Sequence, residues 1–300
     1  MPPSTQSSLI AAFIFASLNA LMLAGMSLFA KLLSTYYGPV EVTFFRNIFS
    51  LIALFIVLLY FRKLHLLKTQ RPWAHLIRSA IGTAGIVMGA WAVSIMSLAE
   101  TTILLFTSPL WTVLLAYPLL GEKFGLFRLS AVLFGFIGII IVANPTSNAD
   151  VIPLYGILIG LSWGFASGCV DITLRWLGKT EDANTTVFYF VLFGSLTCGL
   201  HWPWAKVNEG ALSLDALLII TGLGITGLLA LIFKTQSYRL AEASLIAPVM
   251  YTMILWTICF DYIFWDKIPG LNVILGASII VASNALILLR EKQIKQNKKH

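Results

Sequence analysis

Charge is the first thing this chain lacks. Asp, Glu, Lys and Arg make up only 11% of its 300 residues, where soluble domains carry about 25%. That is too little polar surface to cover a water-soluble globule, so the apolar excess has to face lipid. Cysteine is also scarce. Cys169, Cys198 and Cys259 all fall in apolar runs with no CxxC spacing, which removes a disulfide scaffold or a thiolate metal site and leaves three small packing residues. The four histidines show no HExxH or other ligand spacing. No Walker A sequence is present, which argues against a primary pump. No Ser–His pair sits in a nucleophile motif, which argues against a membrane enzyme. Neither a cofactor nor a metal is expected.

What the chain has in abundance is apolar sequence: 58% of residues are hydrophobic and the mean hydropathy is +0.88. About 20 apolar residues cross the hydrocarbon core as a helix. By that measure ten spans are predicted, at 9–30, 42–61, 78–96, 101–120, 127–144, 153–174, 185–203, 213–233, 243–264 and 271–289. The first has no positively charged segment before it and is too long for a signal-peptide core, so it reads as a retained helix.

The basic residues are distributed unevenly. Counted along ten spans, sixteen Lys and Arg fall in the connections and tail on one side and three (Lys31, Lys206, Lys267) on the other, with Arg46 inside a span. The positive-inside rule then places both termini in the cytoplasm. The net charge of +7 reads as topology signals and contacts with anionic lipid rather than nucleic-acid binding. The expected partners are the lipid bilayer and a small-molecule substrate, with no nucleic acid, for a monomer or homodimer.

An internal repeat organises the chain. Ala12, Ala16, Ala20 and Ala24 form a ladder of small residues in the first span, and an offset of 144 residues lands on Gly156, Gly160, Gly164 and Gly168 in the sixth. Lys31 then falls on Arg175, Phe44-Phe45 on Phe188-Tyr189, and Glu122-Lys123 on Asp266-Lys267. The units are 1–148 and 149–300. Each has five helices, an odd number, so the second enters the membrane from the opposite face. The expected fold is all-α, with ten transmembrane helices as two inverted repeats. Inverted repeats characterise alternating-access transporters, with the substrate at the repeat interface. Small residues four apart let helix backbones approach closely. Pro109 in the fourth span and Pro248 in the ninth break their helices at matching places, which is tolerated in hydrocarbon where protein or a wet cavity satisfies the freed carbonyl.

Ionisable groups in the spans are candidates for function, because each costs about 2.5–3.5 kcal/mol to insert. Arg46 cannot shed its charge and needs either an anionic partner or the outer interface. Asp171, seven residues after Gly164 and three after Gly168, shares the small-residue face. It is positioned to meet a cationic substrate or a coupling proton, or else to pair with Arg175. Asp261 is expected at an interface. Ser97 and Glu100 form a Ser-x-x-Glu capping box. Trp91, Trp163, Tyr189, Tyr251 and Trp256 lie deep enough either to line a pocket or to pack.

The stretch Leu98–Pro145, with Ser108-Pro109-Leu110, Leu119-Leu120-Gly121-Glu122 and then Gly135 and Gly138, resembles a repeat of the EamA branch of the drug/metabolite transporter superfamily. In the second copy, Ala247-Pro248 stands for the break and Asp266 replaces the glutamate. Glu41-Val42, Phe44-Phe45-Arg46, Leu67-Lys68-Thr69, Arg71-Pro72, His75 and Arg78 are similar to the S-adenosylmethionine uptake carriers of that superfamily. The resemblance implies a central cavity lined by spans 1, 3, 4, 6, 8 and 9. Carried onto this chain, that selects Asn19, Trp91, Trp163, Ser167 and Tyr251, with Asp171 as the candidate for the substrate cation. It leaves span 2, and with it Arg46, outside the lining. The function implied is secondary transport of a small polar metabolite across a bacterial inner membrane, S-adenosylmethionine uptake being the specific expectation. Export of amino acids or drug-like compounds is the alternative, and a channel-like or scaffold protein a further one.

Overall fold

A computed structural model describes residues 6–62, 64–120, 126–143, 153–177, 180–201, 213–240 and 249–297, and these are helical with short connections. The elements are α1 (Gln6–Leu33), α2 (Pro39–Tyr60), a 3-10 turn (Leu64–Leu67), α3 (Pro72–Ile95), α4 (Leu98–Leu105), α5 (Ser108–Leu120), α6 (Leu126–Ala143), α7 (Leu154–Leu177), α8 (Ala183–His201), α9 (Leu214–Leu240), α10 (Thr252–Trp265) and α11 (Leu271–Asn297). Every predicted span has its helix, and the fourth has two, α4 and α5. Pro248 and Glu242 lie outside the described residues, as do Trp202, Trp204 and residues 121–125.

Local chemistry sets the helix ends. Pro39 and Pro72 open α2 and α3, where a missing N–H costs nothing and the fixed φ already suits the helix. The capping box forms as the sequence predicts: Ser97 Oγ accepts from Glu100 N at 3.2 Å and Glu100 Oε2 accepts from Ser97 N at 2.9 Å. Among the described residues, five helices are long and apolar enough to span a bilayer on those grounds alone: 10–33, 39–60, 72–95, 154–174 and 214–234. The fourth span falls below that length because its break leaves two short pieces.

Packing follows the repeat. The first helix of each unit lies along the third of the other, α1 on α9 and α7 on α3. Like helices also meet across the pseudo-two-fold: α2 on α8, α4 on α10, and α6 on α11. First meets fourth within the same scheme, α1 on α10 and α7 on α4 and α5. The outward arcs carry the large exposed apolar side chains, such as Ile52, Ile56, Ile77, Leu158 and Leu218, as a lipid-facing surface requires. The chain is an integral membrane protein of two inverted five-helix repeats.

Candidate functional site

The two small-residue ladders face the two broken helices. Ala12, Ala16, Ala20 and Ala24 are all 0% exposed, packed against Leu240 at the end of α9 and against Val249 and Met253 of the ninth span. A Cβ built on Gly156, Gly160, Gly164 or Gly168 would meet, in turn, Met96, Leu104, Thr107 and Trp111. The repeat read in the sequence is therefore a packing device, in which the first helix of each unit offers a flat track to a fourth helix.

The break in the first unit sits at Phe106-Thr107. Pro109 has no N–H to give Leu105 O, the carbonyl one turn earlier, and beside it the turn is held by local bonds to Leu104 O: Thr107 N donates at 3.2 Å and Thr107 Oγ1 at 2.7 Å. Opposite it lies Tyr251, the residue before α10. The Phe106 and Tyr251 rings meet edge to face with centroids 5.0 Å apart. The two helix discontinuities thus touch at the repeat interface.

Asn19 lies beside them. It is 1% exposed, donates from Nδ2 to the Met250 sulfur at 3.2 Å, and has no hydrogen-bond partner for Oδ1. On α7, Gly85 and Gly89 of α3 meet Ala166 and Trp163, while Gly164 and Gly168 meet α4 and α5. At 100° per residue, Ser167 and Asp171 fall on the arc between those two contact faces, which turns towards the bundle interior. Asp171 Oδ2 accepts from Thr112 Oγ1 on α5 at 3.3 Å, so it joins α5 across the interior, and Ser167 is partly buried one turn away. Trp163 is seated on Gly89, three of its ring atoms lying 2.6–2.9 Å from where a Cβ would stand.

Trp91 stands apart. It is 46% exposed and shares its face of α3 with Trp73 and Ile77, opposite the face that meets α7. The structure therefore brings Asn19 and Tyr251 together at the breaks, sets Asp171 against α5 and Trp163 against α3, and places Trp91 on the outer surface. Side-chain identity alone could not separate Trp91 from Trp163; only the helix face does.

Sequence reasoning undervalued one group. Asp261, expected at an interface, is 1% exposed. Its carboxylate accepts from the backbone N–H groups of Leu98 and Ala99 at 3.0 and 2.8 Å. Those are the first donors of α4, orphans in any helix, at its positive end. Lys31 reaches the same carboxylate at 3.6 Å, donates to Met96 O at 2.9 Å and lies 4.4 Å from the Trp265 ring centroid. Ends of α1, α3, α4 and α10 are tied at this one point. The available signal was that Lys31, Ser97 and Asp261 all fall at the same ends of their spans.

The opposite end has its own tie. His75 Nε2 lies 3.4 Å from Glu181 Oε2, Gln70 N donates to Glu181 Oε1 at 3.1 Å, and Tyr189 OH donates to Leu67 O at 3.0 Å. Burial pushes the Glu181 carboxyl upward, but bonds from Gln70, His75 and Thr69 outweigh it and hold the group below its ordinary 4.5. A depressed carboxylate contributes stability that is complete above its unfolded value and disappears as pH falls through the folded one. Glu181→Gln is expected to lower Tm at pH 7, and the gap to the unchanged protein should close as pH falls below that ordinary value. A gap that stays constant on acidification would contradict the tie.

Two inverted repeats with broken helices meeting between them define a multi-pass membrane transporter of the five-plus-five kind. The chain belongs to the EamA-like transporter family, whose model matches it at residues 10–144 and again at 154–289, within the drug/metabolite transporter superfamily. It is similar to an "Uncharacterized transporter" of Helicobacter pylori, 29% identical over 88% of this chain and 90% of that one. It is also similar to an "S-adenosylmethionine uptake transporter" of Rickettsia conorii, 27% identical over 90% of each, and to the human "Solute carrier family 35 member G1", 27% identical over 91% of this chain and 78% of the relative. A solved structure titled only "Crystal structure of protein" shares the fold, with a TM-score of 0.63 at 16% identity, over 97% of this chain and 99% of that one.

Proposed function

We propose that this protein is a secondary alternating-access carrier that imports a small polar metabolite, S-adenosylmethionine, across a bacterial inner membrane, with both termini in the cytoplasm. The observation that carries the mechanism is the contact of the two helix breaks at Phe106 and Tyr251. Backbone interrupted at membrane depth is tolerated where it lines a cavity, and two units related by inversion can exchange conformations around it. Along the inward arc of α7, Gly156 and Gly160 are buried, Ser167 is partly exposed and Asp171 is exposed. The arc opens towards the end rich in Arg and Lys, while the Asp261–Lys31 tie holds the other end shut. That pattern supports a state open to the cytoplasm.

The substrate reading rests on the relatives named for S-adenosylmethionine uptake and on the chemistry around the breaks. Trp163 offers a surface for a purine ring and Asp171 a charge for a sulfonium. The test is uptake of labelled S-adenosylmethionine by intact bacterial cells that lack an importer for it, with and without this protein. Saturable uptake competed by unlabelled ligand is expected. Asp171→Asn should reduce it by at least about tenfold, the worth of one charge-assisted contact, and flatten its pH dependence. Uptake and pH profile unchanged in that variant would remove Asp171 from the site. No uptake with the protein in the membrane would move the function to export.

A further inference from the structure

The structure holds a second buried polar cluster, away from the helix breaks, where α2, α3 and α8 meet. Arg78 of α3 is 7% exposed, and its guanidinium carbon lies 4.0 Å from the Phe190 ring centroid on α8. Its Nε and Nη1 have no hydrogen-bond partner. Arg46 of α2 is within electrostatic reach of it. The Arg46 side chain makes only long contacts, Nε to the Met26 sulfur and Nη1 to Asn47 Oδ1, each at 3.4 Å. Around the pair, Asn47 Nδ2, Ser79 Oγ, Thr83 Oγ1 and Ser195 Oγ are buried without partners. A Cβ on Gly194 would meet both Asn47 and Thr83, so these groups converge.

Two guanidiniums within electrostatic reach of each other in a membrane protein repel, and neither can be neutralised by losing a proton. Among the described residues no carboxylate pairs with either one. Five of the carboxylates are engaged elsewhere: Glu41 with His201, Glu181 with His75, Asp171 with Thr112, Asp261 with Lys31 and Glu100 with Ser97. The surplus is of donors. Planar guanidinium forks beside an amide N–H and hydroxyls match the two oxygens of a carboxylate. The contact with Met26 also brings Arg46 to α1, the helix that carries Asn19, although its own helix lies outside the lining set the family resemblance implies.

We infer that Arg46 and Arg78, with Asn47 and Thr83, form a carboxylate-binding subsite on the α2–α3–α8 side of the bundle that receives the acid group of the transported solute. The inference rests on the proposal that the solute is an amino-acid-derived metabolite. With the sulfonium end at Asp171 on α7, the solute would bridge the first unit's α2–α3 pair and the second unit's first helix, so that both repeats hold it at once.

The test uses purified full-length protein in detergent and reads the shift in Tm with each of five probes: S-adenosylmethionine, its decarboxylated analogue, methionine, methionine methyl ester and inorganic phosphate. The unchanged protein should prefer each acid over its carboxylate-free counterpart by at least about tenfold in half-saturating concentration. Arg78→Gln and Arg46→Gln should each erase that preference, and Arg78→Lys should keep part of it. Equal response to acid and counterpart, or a preference that survives Arg78→Gln, would overturn the subsite. So would phosphate acting as well as the acids with the same arginine dependence, since that marks a general anion site. Should Arg78→Gln fail to fold, Arg78→Lys and the acid-against-ester comparison in the unchanged protein still decide. The two readings fail separately. Methionine discrimination that depends on Arg78, without S-adenosylmethionine uptake, removes the substrate and keeps the subsite; uptake with unaltered discrimination in Arg78→Gln does the reverse.

Discussion

Replacing Asp261 with alanine is expected to destabilise the protein by about 3–5 kcal/mol, the usual cost of breaking a buried ion pair by removing one partner, and to abolish transport. Three groups lose their partner together. The N–H groups of Leu98 and Ala99 are left without their acceptor, and Lys31 loses its ion-pair partner, keeping the Met96 carbonyl and the Trp265 ring beside it. Asp261→Asn preserves volume and one acceptor oxygen, so it should fall between. Lys31→Met alone should cost less, because the helix-end bonds to Asp261 remain. Thermal denaturation in detergent of the unchanged protein, Asp261→Ala, Lys31→Met and the variant carrying both changes, run as a double-mutant cycle, separates the cap from the ion pair. A Tm for Asp261→Ala within a degree or so of the unchanged protein would show that the carboxylate does not hold α4 in place.

Gly164→Val is expected to give the second large loss. A Cβ there would stand 2.8 Å from the Leu104 carbonyl oxygen, with the Thr107 hydroxyl nearer still. The carbonyl belongs to the backbone turn at the break, so rotating the Thr107 side chain does not relieve the clash and α7 must separate from α4. Overpacking of this sort costs about 1–3 kcal/mol, and the separation falls where the two repeats must move past each other. Transport should drop by about a hundredfold while membrane insertion is retained. Gly25→Ala and Gly227→Ala are the controls. Their nearest neighbours would be Thr226 Cγ2 at 3.4 Å and Met26 Sδ at 3.6 Å, ordinary contacts, and both variants should keep near-normal uptake. If Gly164→Val transports as well as these, close approach at the break is not needed for the cycle.

Much of the fold was legible because a bilayer imposes simple rules. Hydrocarbon thickness fixes the length of a span, and unsatisfied backbone is excluded from lipid, so the apolar runs alone give the helices. The Ala and Gly ladders at one offset gave the repeat, and an odd number of helices per unit gave its inversion. The capping box at Ser97 and Glu100 was readable because its bonds are local. Pro109 likewise marked the first break to within three residues of Phe106.

What the sequence could not assign was which group faces which. Trp91 and Trp163 are the same residue type in equally apolar spans, and only the packing of α3 against α7 puts one on the outer surface and the other over Gly89. Asp261 looked interfacial by its distance from a helix end, but α4 begins beside it, so its carboxylate is a buried cap. Arg46 and Arg78 are 32 positions apart on neighbouring antiparallel helices, and nothing in their local patterns brings them together. Span length and repeat are consequences of one-dimensional spacing in a solvent of fixed thickness, and the sequence by itself determined them. Contacts between side chains from different helices depend on helix rotation and crossing. Those are set by the summed packing of the whole bundle, and only the tertiary structure decided them.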